Sequence, residues 1–577
     1  MSTQPVTCYP TSVQVYSQTE AERLLESPEF QSQWRTLWRD CPWGTVLQTP
    51  EFACTWYGCY KERYSPLILV RHATGGQMDG LLLLAVERST GRLTFAGAHQ
   101  SEYNVWLALP GDRGFISEAL HGLSKLAFSS ISFTYLPPGT PLDWLEPEWK
   151  TRSSVRVVRR PLLTVSNPDA MTESLTKKKN RRRLEKLLAG QSLEFVELQS
   201  SEELDLYYDE IIDFCDFRQG AVHGSCPFHD DPRKRGFYRA LMEQRGLLHA
   251  TVFKAGDRLL GAHIGIRNKD EVMLGIVAHS PFLAEHSPGK LHILQLGLML
   301  HNQGFRQLDL TPGGDAYKDD RATEYDEAHA LTVFLDGRAL ASHRMSGGLR
   351  RVSKAIARLL HLDRNRISRL SSLAKKAMAS PFRALRSLAR LAKRRVWSST
   401  EMRFYRVEAA KVEPSDVKNA RKDSLHDLLR YEPADQGERS KQNFLSDVMT
   451  RIESGVHSYS VVRDNRLVHY GWLTERSAQS FITEVQHPYQ YPSNSAVMWD
   501  FYTHPAYRGQ GLYSQSLKQI MSDAAANPGT DFVYIAVLAD NVASRKAIER
   551  AGFTYHESIL RKIRFAAVTY TVGKVVA

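Results

Sequence analysis

Long apolar runs are missing from this chain of 577 residues. The longest, Leu81-Leu82-Leu83-Leu84-Ala85-Val86, is strand-sized, far short of the roughly 20 residues a membrane-spanning helix needs. The opening Met1-Ser2-Thr3-Gln4-Pro5 shows no basic stretch followed by an apolar one, so no secretory signal is expected. Paired cysteines are missing too. Six cysteines stand at 8, 41, 54, 59, 215 and 226, with no Cys-x-x-Cys and no histidine nearby at metal-ligand spacing. Buried free thiols in a reducing compartment follow, with no metal expected. Acid is scarce in one place: between His343 and Trp397 stand 16 Lys or Arg against one carboxylate, Asp363. The formal charge of +12 therefore belongs to one segment, and the remainder is slightly negative.

What is present is enough apolar residue, 42%, for several cores, and the length suggests three or four domains. Residues 1–165 open with a helical pattern, Phe30 to Trp38, whose Trp34, Leu37 and Trp38 share a face. Strand-like runs follow at 67–71, 81–86 and 93–96, with a hairpin at Gly75-Gly76-Gln77. Residues 166–342 begin with a basic helix start, Lys177-Lys178-Lys179-Asn180-Arg181-Arg182-Arg183. Strands at 248–253, 259–266 and 271–276 precede a helix from Ser287 to Asn302 and a strand at 307–310. This is an α/β layout. Residues 343–400 read as a basic amphipathic helical linker, with Phe382, Leu385, Leu388 and Ala392 at helical spacing and arginines opposite. Residues 401–577 read as a strand near 402–407, helices over 415–453 and a hairpin across Asp464-Asn465. Further strands follow near 480–484, 496–503 and 532–537.

The chemistry concentrates in one stretch: Asp500-Phe501-Tyr502-Thr503-His504-Pro505-Ala506-Tyr507-Arg508-Gly509-Gln510-Gly511-Leu512-Tyr513-Ser514. An apolar strand ends, glycines turn the chain, and a helix starts. Glycines let successive N–H groups converge, and a helix N-terminus adds positive potential, so a pyrophosphate fits there. Gly-x-Gly-x-x-Gly spacing and a Gly-Lys-Ser/Thr ending are both missing, which excludes a Rossmann or P-loop reading. After the next strand comes Asn541-Val542-Ala543-Ser544-Arg545-Lys546-Ala547-Ile548-Glu549-Arg550-Ala551-Gly552-Phe553.

Together these two stretches resemble the signature motifs of the GNAT acyltransferase superfamily, over about 401–565. The resemblance implies a GNAT fold and an acyl-CoA co-substrate, acetyl-CoA first. It implies contacts to the cofactor from Thr503, Arg508, Gly509, Gln510, Gly511, Leu512, Tyr513, Ser514 and Asn541. Two positions depart from the family: 513 is Tyr where Gly or Ala is usual, and 548 is Ile where a tyrosine commonly protonates the leaving thiolate. Tyr513, Ser544 and Tyr555 are the substitute acids, Glu484 or His504 the substitute base, and Asn541 a further catalytic candidate. Ile548→Tyr is expected to raise turnover where departure of the thiolate limits the rate. Regular alternation along the strand puts Val497 and Trp499 on the reacting face and turns Asp500 away from it.

Residues 20–335 resemble the CelD/BcsL-like acetyltransferases and, more distantly, the Fem-type aminoacyl transferases. The similarity rests on Lys177–Arg183, on Ser287-Pro288-Gly289-Lys290-Leu291, and on Leu308-Asp309-Leu310-Thr311-Pro312-Gly313-Gly314-Asp315-Ala316-Tyr317-Lys318. It implies a tandem GNAT-like pair, a degenerate lobe at 1–165 and a second at 166–342, followed by the linker and a further GNAT domain. Gly289, Lys290, Asp309 and Lys318 are its site candidates. The resulting expectation is an N- or O-acyltransferase acting on a sugar or lipid-linked cell-envelope precursor in bacterial polysaccharide synthesis. It would be cytoplasmic, with segment 343–397 able to lie on an anionic membrane face. Fem-type aminoacyl transfer to a peptidoglycan precursor and a non-catalytic CoA-binding scaffold are the alternatives. Nucleic acid is not the expected partner, because Arg508–Ser514 points to CoA.

Overall fold

The computed structural model describes residues 12–188, 191–345, 397–435, 437–565 and 567–574. The basic linker falls almost wholly outside the described residues; its last four positions, 397–400, already belong to a strand, Trp397–Glu408. The chain divides into two compact units, Met1–Cys215 with Pro227–Val352 and Asp216–Cys226 with Ser353–Ala577.

In the first unit a five-stranded sheet is built on the hairpin of Tyr64–His72 and Met78–Glu87. Gly76 takes the left-handed φ of 81° that its turn requires. Helix Pro28–Asp40 starts on proline behind a Ser27 side-chain cap and buries Phe30, Trp34 and Leu37. An eight-stranded sheet follows. In spatial order its strands are Ser130–Leu136, Glu324–Phe334, Ser153–Thr164, Gln307–Asp309, Glu271–His279, Arg258–Asn268, Leu248–Ala255 and Leu193–Leu198. It therefore takes strands from both sides of residue 165. Only Glu271–His279 and Gln307–Asp309 pair in parallel, and helix Pro288–Asn302 makes the crossover such a pair needs. That helix packs Ile293, Leu296 and Leu300 on Val272, Leu274 and Leu308.

The second unit has the same element in its centre. Its eight-stranded sheet runs Arg421–Lys422, His457–Arg463, Arg466–Thr474, Ser495–Thr503, Phe532–Leu538, Trp397–Glu408, Thr554–Arg564 and Ala567–Lys574. The parallel pair is Ser495–Thr503 with Phe532–Leu538, crossed over by helix Leu512–Ala526. Among the described residues between 415 and 453, helix forms at Leu425–Leu428 and Lys441–Glu453. The expected continuous helical stretch is interrupted around Glu432-Pro433, where proline excludes the preceding residue from the helical region. A separate two-stranded ribbon pairs Gln479–Ile482 with His487–Gln490.

Candidate functional site

The parallel strands Ser495–Thr503 and Phe532–Leu538 pair only from Ser495 with Phe532 to Met498 with Ile535. Beyond that both strands keep their outer neighbours, as far as Thr503 on one side and Leu538 on the other. The two therefore part and leave a wedge from Trp499 and Ala536 onward.

At the head of the wedge the strand Ser495–Thr503 bulges. Trp499 opposes Trp472, yet Tyr502 opposes Tyr470, so one extra residue lies on this strand. Asp500 takes a left-handed φ of 47° there. Val497 and Trp499 pack on one face with Phe404 and Tyr489. Ala496, Met498 and then Phe501 pack on the other with Leu517 and Ile520. The alternation thus slips by one at Asp500, and the expectation that Asp500 points away is corrected. Its carboxylate lies on the Trp499 side, accepting from Arg451 Nη1 at 2.5 Å with Arg439 Nη2 at 3.7 Å. The Arg451 guanidinium stands over both Trp472 and Trp499, at 4.7 and 4.5 Å from the ring centroids.

This face opens into a pocket of about 500 Å³ whose walls include Trp499, Asp500, Arg451, Tyr491, Phe481 and Glu484. Glu484, a sequence candidate, sits exposed on the ribbon turn, its Oε2 accepting from Thr483. Asp500, Arg439 and Arg451 were missed by sequence reasoning. The available signal was an aspartate within an apolar strand; the slip in register was not visible.

On the opposite face the strand leads through Thr503 and His504 to the glycine turn. Gly509 and Gly511 adopt φ of 78° and 79°, which side chains with a Cβ rarely adopt. Nothing lies within 4 Å of a Cβ built on Gly509, and only the Gln515 amide, at 3.8 Å, near one on Gly511. Both glycines face open space. Gly511 caps helix Leu512–Ala526 without a side-chain bond, and the first turn holds no acid. Its leading N–H groups have no intrahelical partner and no carboxylate neutralises their positive end. Arg508 is exposed and donates from Nε to the Thr503 carbonyl at 3.3 Å; Gln510 accepts from Arg463 at 2.7 Å. Leu512 is buried under the helix and Ser514 is exposed. Backbone N–H groups at an open helix start are the chemistry that receives a diphosphate.

Tyr513 and Ser544 meet at 2.8 Å, hydroxyl to hydroxyl, across the starts of two helices. Burial pushes the Tyr513 phenol up, opposed by its bond to Ser544, so it remains a proton donor at neutral pH. Asn541 accepts from the Ser544 N–H at 3.2 Å and caps helix Val542–Arg550. His469 closes the group: Nδ1 lies 2.8 Å from Thr503 Oγ1, and burial pushes its imidazole down to about 4, leaving it neutral.

The other candidates stand apart. Ile548 is fully buried in the main core, so a tyrosine installed there would meet packed side chains rather than a reacting group. His504 is buried with Nδ1 accepting from the Ala506 N–H at 3.3 Å, a local cap away from the pocket. Tyr555 lies on strand Thr554–Arg564, separated from Phe532–Leu538 by Trp397–Glu408, and reaches the Gly573 carbonyl at 3.4 Å.

In the first unit Asp309 is internal. One oxygen accepts from the Thr311 N–H at 2.8 Å; the other accepts from Tyr103 at 2.6 Å and faces Arg160 at 3.0 Å. Lys318 is buried and donates to the Thr311 carbonyl and hydroxyl at 3.2 and 3.1 Å. Both residues hold the turn between them. Gly289 is explained by the His279 ring, which a Cβ there would meet at 3.1 Å; Lys290 stands half-buried in the same first turn.

Family models described as acetyltransferase (GNAT) domains match residues 174–319 and 407–554. No curated protein matches the chain. Among solved structures it is similar to FemX, 9% identical, covering 52% of this chain and 95% of that one at a TM-score of 0.36. It is similar to L-PGS from Bacillus licheniformis, 11% identical, covering 55% and 94% at 0.35. A tandem GNAT protein from the clavulanic acid biosynthesis pathway is 13% identical, covering 56% and 99% at 0.34. With one matched domain in each unit, the chain belongs to the GNAT acetyltransferase superfamily as a fusion of two such domains.

Proposed function

We propose that the second unit transfers an acyl group, acetyl first, from acyl-CoA to an amine or hydroxyl of a small acceptor. The observation that carries this is the turn of Gly509 and Gly511, open in front and leading into an uncapped helix start. It stands beside a wedge between parallel strands. The diphosphate of the cofactor belongs on the turn, with Thr503 and Asn541 along the arm.

The acceptor belongs in the pocket beside Asp500. Its nitrogen or oxygen attacks the thioester carbonyl, the new bond to the acyl carbon forms, and the carbon–sulfur bond breaks. Asp500 and Glu484 are the carboxylates lining that wall, placed to orient the nucleophile and take its proton. The departing thiolate takes a proton from Tyr513, which Ser544 holds in place. Positioning alone supplies much of the rate. Flat faces on Trp499 and Tyr491 beside carboxylates and guanidiniums suit a sugar ring, and the CelD/BcsL-like resemblance supports a cell-envelope precursor.

Two substitutions separate the sides. Gly511→Val puts a branched side chain on the left-handed cap and is expected to lower CoA affinity at least tenfold by calorimetry. Asp500→Asn is expected to leave CoA affinity unchanged and to lower thiol release severalfold with amino sugars and sugar nucleotides. Unaltered CoA affinity in folded Gly511→Val refutes the assignment.

A further inference from the structure

We propose that the basic helix Lys178–Leu188 forms a second phosphate-binding site in this chain, built from side chains and fitted to a ligand carrying a diphosphate or triphosphate.

The helix Lys178–Leu188 flanks the 3-10 segment Pro281–His286, and the groove between them encloses about 830 Å³. Lys178, Lys179, Arg182, Arg183 and Lys186 line it from the helix and His286 from the other wall. None of the five helix cations makes an ion pair among the described residues. The two acids on the groove are engaged: Glu185 with Arg181 at 3.5 Å, Glu285 with His286 at 3.1 Å. The row from Lys178 to Lys186 rises about 12 Å along the helix, enough for several phosphates.

The helix is not a free charged rod. Asn180 is buried and donates to the Ser174 carbonyl at 2.7 Å, and Leu187 is buried in the core beneath. The cations are therefore held together at fixed spacing, against their mutual repulsion. Lys290 feels this: burial and the charges of Arg321, Arg183, Lys179 and Lys177 push its ammonium down. Five cations against two carboxylates leave the groove net positive; such a convergence disfavours folding, and an anion arriving there relieves it.

The chemistry of the walls narrows the anion. His286 carries the single aromatic ring among the lining residues, which is no platform for stacking successive bases. None is a large apolar side chain that could enter a bilayer. Phosphate oxygens match the lysine and arginine donors offered. The site differs in kind from the glycine turn of the second unit, which offers backbone N–H groups, so the two respond to different substitutions.

Lysine footprinting on the full chain tests this. The protein is acylated with a lysine-reactive ester, with and without inorganic tripolyphosphate, and modification is read per residue by mass spectrometry. Tripolyphosphate is expected to protect Lys179 and Lys186 severalfold while leaving Lys61 and Lys125, exposed elsewhere in the unit, unaffected. Protection should persist in Gly511→Val and require at least tenfold more tripolyphosphate in folded Arg182→Gln/Arg183→Gln. Parallel arms with CoA and with a nucleoside diphosphate identify which source of phosphate protects at lower concentration. The proposal is overturned if tripolyphosphate protects neither lysine, protects all lysines alike, or acts equally on the double variant. Protection by anionic vesicles or single-stranded RNA alone also overturns it.

Discussion

Asn541 and Ile548 lie on one short helix, and the sequence motif singles out both. Asn541 uses its side-chain oxygen to cap the helix, whereas Ile548 fills the core. Replacing Asn541 with Ala removes a cap worth about 1 kcal/mol and, on the proposed mechanism, loosens Ser544 against Tyr513, so turnover falls. Replacing Ile548 with Ala opens a cavity costing about 2–5 kcal/mol with turnover per folded molecule unchanged. Urea unfolding and thiol release measured on both variants check this; a larger turnover loss at 548 refutes it. The roles of Gly509 and Gly511 were legible at this scale, because glycine alone adopts their backbone cheaply. That of Asp500 was not, since its direction depends on a neighbour strand rather than on its own residue type.

At the scale of elements, apolar runs and glycine turns made most central strands legible, including Tyr64–His72, Glu271–His279 and Ser495–Thr503. The closing hairpin Thr554–Arg564 with Ala567–Lys574 was not, because its charged residues hide the two-residue period. Nor was the ion network that ties four strands of the first unit together. Arg160 donates to Glu271 at 2.6 Å and to Asp326 at 2.9 Å, and faces Asp309. These residues are spread over Ser153–Thr164, Glu271–His279, Gln307–Asp309 and Glu324–Phe334. Burial first, and then the Glu271 carboxylate, raise Asp309 as an acid and Arg160 opposes this, so removing the arginine leaves carboxylates facing one another without a counter-charge. Arg160→Ala is expected to cost about 3–5 kcal/mol, read as a lower denaturant midpoint with the slope retained. A midpoint unchanged within error refutes the network's structural role.

At the scale of the whole molecule, two GNAT domains share a chain with one strongly basic segment. No helix among the described residues is long and apolar enough to cross a membrane. The charge between His343 and Trp397 favours an anionic surface by about 1 kcal/mol for each cation that reaches it. The full chain is expected to co-sediment with vesicles in proportion to their anionic lipid and to be released by salt; indifference to such vesicles at low salt refutes this. The sequence by itself determined which backbone could turn at Gly509 and Gly511, where apolar strands and helices alternate, and where charge accumulates, because each follows from residue type and spacing along the chain. Only the tertiary structure decided that Asp500 enters the pocket, that Tyr513 meets Ser544, and that Asp309 is spent on Arg160. Each of these depends on the register of one strand against another, and a single bulged residue changes it without altering the pattern of the sequence.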